Sequence, residues 1–186
     1  AKERERILRA VARALPAGTV NVAAPRALSD YPFIQAALQA LQLAKPVLEW
    51  AVVSRFLRSF SYADALEEQH TRAQLELALR EYGMQTVSWK QWLYQSKRLK
   101  VLQTRLQQLF HLKNTALKGR KTAKAWVPLL REWLQGVGWP VRQLNTDIDA
   151  LFRQWETVLQ HYEALDSLLG QHSISTAIFR IQGLAK

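Results

Sequence analysis

Apolar residues recur along this chain at intervals of three and four, the period of an α-helix. The seven glycines and six prolines fall between these runs rather than being spread through them. The pattern predicts a mainly α protein, a multi-helix domain of about seven or eight helices. A first helix is predicted over 2–14, stopping before Pro16 and Gly18. One β-like run follows, "TVNVAA", so at most one short strand is expected, near residues 19–23. A lone strand cannot stabilise itself; it must lie across helices or join a sheet supplied by chain beyond this segment. Residues 1–25 therefore read as a lead-in of helix and strand, and 26–186 as the helical domain.

Within that domain, "LSDYPFIQAALQALQL" predicts a largely buried helix, with Asp30 as cap and Pro32 in the opening turn. Pro46 opens a helix through Trp50, Val53, Phe56 and Leu57. Ser61 is expected to cap a long amphipathic helix that Gly83 ends. Ser88 is expected to cap the next, on which Trp92, Leu99, Leu102, Leu106, Leu109 and Phe110 fall on one arc. About 22 residues at 1.5 Å each make a rod of roughly 33 Å, long enough to follow about ten base pairs of duplex. The pattern then decays into "KNTALKGRKTAK", expected to be a mobile loop or short turn. "TAKAWVPLLREWLQGVGWP" predicts a helix with Trp126, Leu129, Leu130 and Trp133 inward and Pro128 in its first turn. The last long helix is expected from Asn145 or Thr146, with Asp147 and Asp149 at its positive end, and a short helix over "SISTAIFRIQGL" closes the chain.

Composition narrows this picture. The 186 residues, 48% apolar and 10% aromatic, are globular in character, and seven tryptophans are expected to be core rather than ligand platform. With no cysteine, disulfides and thiolate metal sites are excluded, and a cytoplasmic location is expected. No apolar run approaches the roughly 18 residues of a membrane helix, so no membrane partner is expected. The first residue is Ala1, and the segment is expected to come from something longer.

Charge changes the picture most. The net charge is +11, and between Glu81 and Glu132 there is no acidic residue but eleven basic ones. The other 15 lysines and arginines equal the 15 acids of the rest of the chain, so the whole excess sits in one segment. Its centre carries Lys97, Arg98, Lys100, Arg105, Lys113, Lys118, Arg120, Lys121 and Lys124, a basic helix and loop at 88–124. A solvated helix face usually mixes signs for i,i+4 pairing; fifty residues without an acid match instead the footprint of phosphate contacts. A basic amphipathic helix could also lie on a membrane, but here the Trp- and Leu-rich side is needed for the core.

Catalytic patterns are missing. "LKGRKTAK" holds one glycine and follows no strand, so it is not a phosphate-cradling loop. The four histidines show no metal-ligand spacing, and His70 and His161 read as partly exposed helix positions. Asp147 and Asp149 lie two apart in a helix start and diverge. No nucleophile elbow occurs. No cofactor, no metal and no catalytic residue are expected.

Several stretches, in order and spacing, resemble the middle of a bacterial family of probable DNA repair proteins. They are "NVAAPRALSDYPFIQAALQALQL", "SRFLRSF", "ALEEQHTRAQLELALREYG" with "SWKQWL", "WVPLLREWLQGVGWP" and "LNTDIDALFRQWETVLQHYEALD". That family is similar to AddB, the helicase-like, nuclease-bearing subunit of RecBCD-type machines. The resemblance runs from about Val20 onward and rests on packing and turn signatures; Phe60 departs from it, standing where the family tends to have proline. It implies a much longer parent with a helicase-like motor and a PD-(D/E)XK nuclease, of which this would be a helical accessory region without the catalytic motifs. The partners it implies are DNA, met non-specifically at the backbone, the remainder of the parent chain and a helicase–nuclease partner subunit. The alternative is a structural or protein-interaction module that docks an acidic surface.

Overall fold

A computed structural model of the chain describes residues 26–81, 83, 85–98, 100–141 and 146–186; the helix expected over 2–14 and the strand expected near 19–23 lie outside them. Among the described residues the fold is mainly helical. Nine α-helices follow in order: α1 (Pro32–Gln42), α2 (Trp50–Arg58), α3 (Gln69–Glu81), α4 (Trp89–Gln95), α5 (Lys100–Asn114), α6 (Ala123–Val137), α7 (Thr146–Ala164), α8 (Asp166–Leu169) and α9 (Ile174–Leu184). One antiparallel pair, β1 (Leu48–Glu49) and β2 (Thr86–Val87), sets Leu48 opposite Val87 and ties the start of α2 to the start of α4.

Pro32 opens α1, as its fixed φ and missing N–H favour. Asp30 does not cap it: Asp30 ends a 3-10 turn over Leu28–Asp30, and the cap position is Tyr31, which makes no side-chain cap bond. Ala36, Ala37 and Ala40 keep α1 thin, so α2, α6, α7 and α9 all pack against it, and Ile34, Leu38 and Leu41 are buried at the centre. Helices α2 to α5 pack in sequence on one side, while α6, α7 and α9 close the other around Trp126, Trp133, Trp155 and Tyr162. Six tryptophans are buried and Trp50 is half-buried. They form chains of tilted and edge-on rings, with Trp89 to Trp92 at 5.1 Å and Trp139 to Trp155 at 5.8 Å.

Three expected elements differ. Helix α2 starts at Trp50 because Leu48–Glu49 are taken by the sheet. The long helix expected from Ser61 is shortened to α3, since 59–68 is a strap of turns. Tyr62 Oη donates to the Ala36 carbonyl at 2.9 Å and Ala63 N–H to that of Gly138 at 3.0 Å, while Asp64 is left-handed at φ 60°. Gly138 is required there: it has φ 88°, and a Cβ would stand 2.9 Å from Ala63. The single rod expected from Ser88 is two helices, α4 and α5, joined by a 3-10 turn at Ser96–Arg98.

Candidate nucleic-acid interface

Ser88 caps α4 in a capping box with Gln91. Lys97, exposed at the end of α4, lies 4.4 Å over the Tyr94 ring and borders a groove of about 410 Å³ between α3 and α4. Arg98 and Lys100 flank the joint into α5; their side chains lie outside the described residues.

Helix α5 buries Leu102, Leu106 and Leu109 against α4 and α6. Arg105, expected on the solvent side, is a correction. Its Nη2 meets Asp64 Oδ2 at 2.6 Å, its Nη1 donates to the Ala63 carbonyl at 2.8 Å, and its side chain is 16% exposed. Arg105 fastens the strap to α5. Arg131 of α6 is likewise paired, with Glu156 of α7 at 2.7 Å.

Beyond α5 the charge gathers again. Of the two forms expected for this stretch, a mobile loop or a short turn, it takes the turn, over 115–122. Lys121 and His172 exchange both backbone hydrogen bonds, at 3.0 and 2.9 Å, an isolated antiparallel bridge. Arg120 donates through Nε and Nη2 to the Gln171 carbonyl, and Trp126 Nε1–H to that of His172. His172, buried, holds the other side. The Gly170 carbonyl can only accept, so Nδ1 carries the proton toward it and Nε2 receives the Tyr162 hydroxyl. Burial pushes that phenol well above its ordinary pKa. The bridge aligns the two helix caps that follow it, Thr122 before α6 and Ser173 before α9.

Lys118, Arg120 and Lys121 stand on this clamp, between Lys113 at the end of α5 and Lys124 at the start of α6. Lys118, Arg120 and Lys124 are exposed. Lys121 Nζ donates to the Lys118 carbonyl at 2.7 Å and lies 5.3 Å over Trp126. Lys113 is half-buried, 5.5 Å over the Trp89 ring, with a 3.4 Å contact to the Pro46 carbonyl. Burial holds its ammonium below the ordinary lysine range, and no carboxylate among the described residues offsets that. Asp166 Oδ1 accepts from the backbone N–H of Lys124.

The nine cations foreseen in the sequence thus divide. Three lie on the turn and two, Lys113 and Lys124, in the helices flanking it, one is committed to Asp64, and Lys97, Arg98 and Lys100 mark the far end of α5, about 22 Å away. His172 and Tyr162, which anchor the turn, carried no sequence signal beyond a histidine near a helix cap.

Among the described residues, no three His, Cys, Asp or Glu side chains gather to hold a metal, and no helix is long and apolar enough to cross a membrane. Comparison of the chain with family models, curated proteins and solved structures finds no match.

Proposed function

We propose that this chain is a non-catalytic helical accessory segment of an AddB-like DNA repair helicase–nuclease, and that it contacts the DNA backbone non-specifically through Lys113, Lys118, Arg120, Lys121 and Lys124. One observation carries the reading. Lys118, Arg120 and Lys121 stand on a turn fixed by backbone hydrogen bonds, with Lys113 and Lys124 in the helices on either side, so phosphate contacts there incur little backbone-ordering cost. Lys97, Arg98 and Lys100 supply a second, smaller contact at the other end of α5. Arg105 belongs to the fold and drops out of the interface. The likeness to the repair family supplies the parent, and with it a partner subunit and a cytoplasmic setting.

Log affinity for duplex DNA is expected to fall linearly with log salt, and Lys118→Glu, Arg120→Glu and Lys121→Glu together to flatten that line. An unchanged slope removes all three from the interface. Lys118→Glu alone is the cleaner variant, because the Lys118 side chain takes no part in the clamp to 170–173. The rival reading, docking on an acidic protein surface, predicts equal binding of DNA and an acidic polypeptide at matched ionic strength. Preference for DNA excludes it.

A further inference from the structure

Lys113 sits in a cleft of about 350 Å³ walled by the C-terminal end of α5, the turn that follows it and the start of α9. Pro46, Lys113, Asn114, Lys118, Ser173 and Ile174 line it, and no acidic residue does. A half-buried ammonium normally has a carboxylate or several acceptors around it, because desolvation disfavours the charge. Lys113 has only a long 3.4 Å contact to the Pro46 carbonyl and the face of the Trp89 ring 5.5 Å away. Lys118 also lines the cleft, and its ammonium has no carboxylate partner among the described residues. The floor adds polarity of the same sign. The first N–H groups of α9, an 11-residue helix, point out of its N-terminus, and Ser173 Oγ takes the one from Thr176. Two lysines and the start of a helix thus line a recess that no acidic residue lines.

We propose that this cleft seats a single phosphate group of the bound strand between Lys113 and Lys118, and so sets where the backbone crosses the turn. The inference rests on the nucleic-acid reading above and adds to it a defined phosphate position. The remaining cations, Arg120, Lys121 and Lys124, then steer neighbouring phosphates without fixing them.

The test follows the side-chain signal of Lys113 and the amides of Ile174 and Ser175 by NMR on the full, unmodified chain, titrated separately with a short hairpin duplex and with tripolyphosphate. In the free protein Lys113 is expected to titrate below the ordinary lysine range, as its burial directs. Duplex should raise that pKa and shift both amides. Lys113→Gln should weaken duplex binding about five- to tenfold near 0.1 M salt and lower the salt slope by about one, while Lys113→Arg keeps most of the affinity. Duplex binding that leaves Lys113 and both amides unmoved overturns the cleft and leaves the wider reading standing. Tripolyphosphate that moves them when duplex does not bind keeps the cleft as a phosphate site and overturns the nucleic-acid reading. If neither ligand moves them, both fall. The NMR titration decides even where a substitution disturbs folding.

Discussion

Arg105 and Lys118 carry the same charge, and nothing in the sequence beside them separates their roles. The difference is Asp64, 41 positions before Arg105, held left-handed in the strap so that its carboxylate reaches the guanidinium. No local pattern reveals such a partner. Arg105→Gln is therefore expected to cost about 1–3 kcal/mol of stability, measured in urea, with the DNA salt slope unchanged. Lys118→Gln should do the reverse, leaving the urea midpoint in place and flattening the slope. Glu76 shows a similar long-range dependence. Its burial raises the carboxyl pKa, but the Ser54 hydroxyl donating to Oε1 and the Arg80 guanidinium outweigh that, and the net direction is downward from 4.5. The unfolded chain then binds more protons just below pH 4.5, so this group's stabilisation is complete above that value and is lost as pH falls through the lower folded-state pKa. Thermal unfolding between about pH 5 and 3 should accordingly steepen in the native chain relative to Glu76→Gln.

Helix starts governed by local capping were legible. Ser88 was read from its position, and its capping box is formed. Breaks governed by distant residues were not. The apolar arc runs unbroken from Trp92 to Phe110, so periodicity alone continues the helix through 96–98. What stops it is Glu68, buried in the strap, whose Oε1 accepts from Leu102 N–H at 2.8 Å and serves the first turn of α5 from 34 positions away. The other oxygen of Glu68 pairs with Arg72 at 2.9 Å, and Arg72 is 1% exposed and lies over Phe56. Glu68→Ala removes both partners at once. It is expected to cost about 3–5 kcal/mol in chemical denaturation, because Arg72 is left as a buried unpaired cation. Pro128 gives a smaller lesson. It is the sixth residue of α6, in the second turn rather than the first, and the Lys124 carbonyl it leaves without a donor lies on the exposed side, where water can serve it.

For the molecule as a whole, the helical class was plain in the spacing of apolar residues, and the basic segment was plain in composition. Its shape was not. Charge expected along one rod is gathered at the two ends of α5, and the clamp at Lys121 and His172 joins residues 51 apart in sequence. Two patches about 22 Å apart correspond to six or seven base pairs of duplex. Lys97→Gln should therefore weaken binding of hairpin duplexes longer than about seven base pairs and leave shorter ones unaffected, as gel-shift titrations would show. The clamp has one more consequence. A protease must draw several residues into an extended strand, and the turn offers trypsin Lys118, Arg120, Lys121 and Lys124 as cleavage points. Held at both backbone groups of Lys121, these bonds should survive digestion that has already cut exposed sites elsewhere, and Tyr162→Phe, which unfastens the imidazole, should make them the first to be nicked.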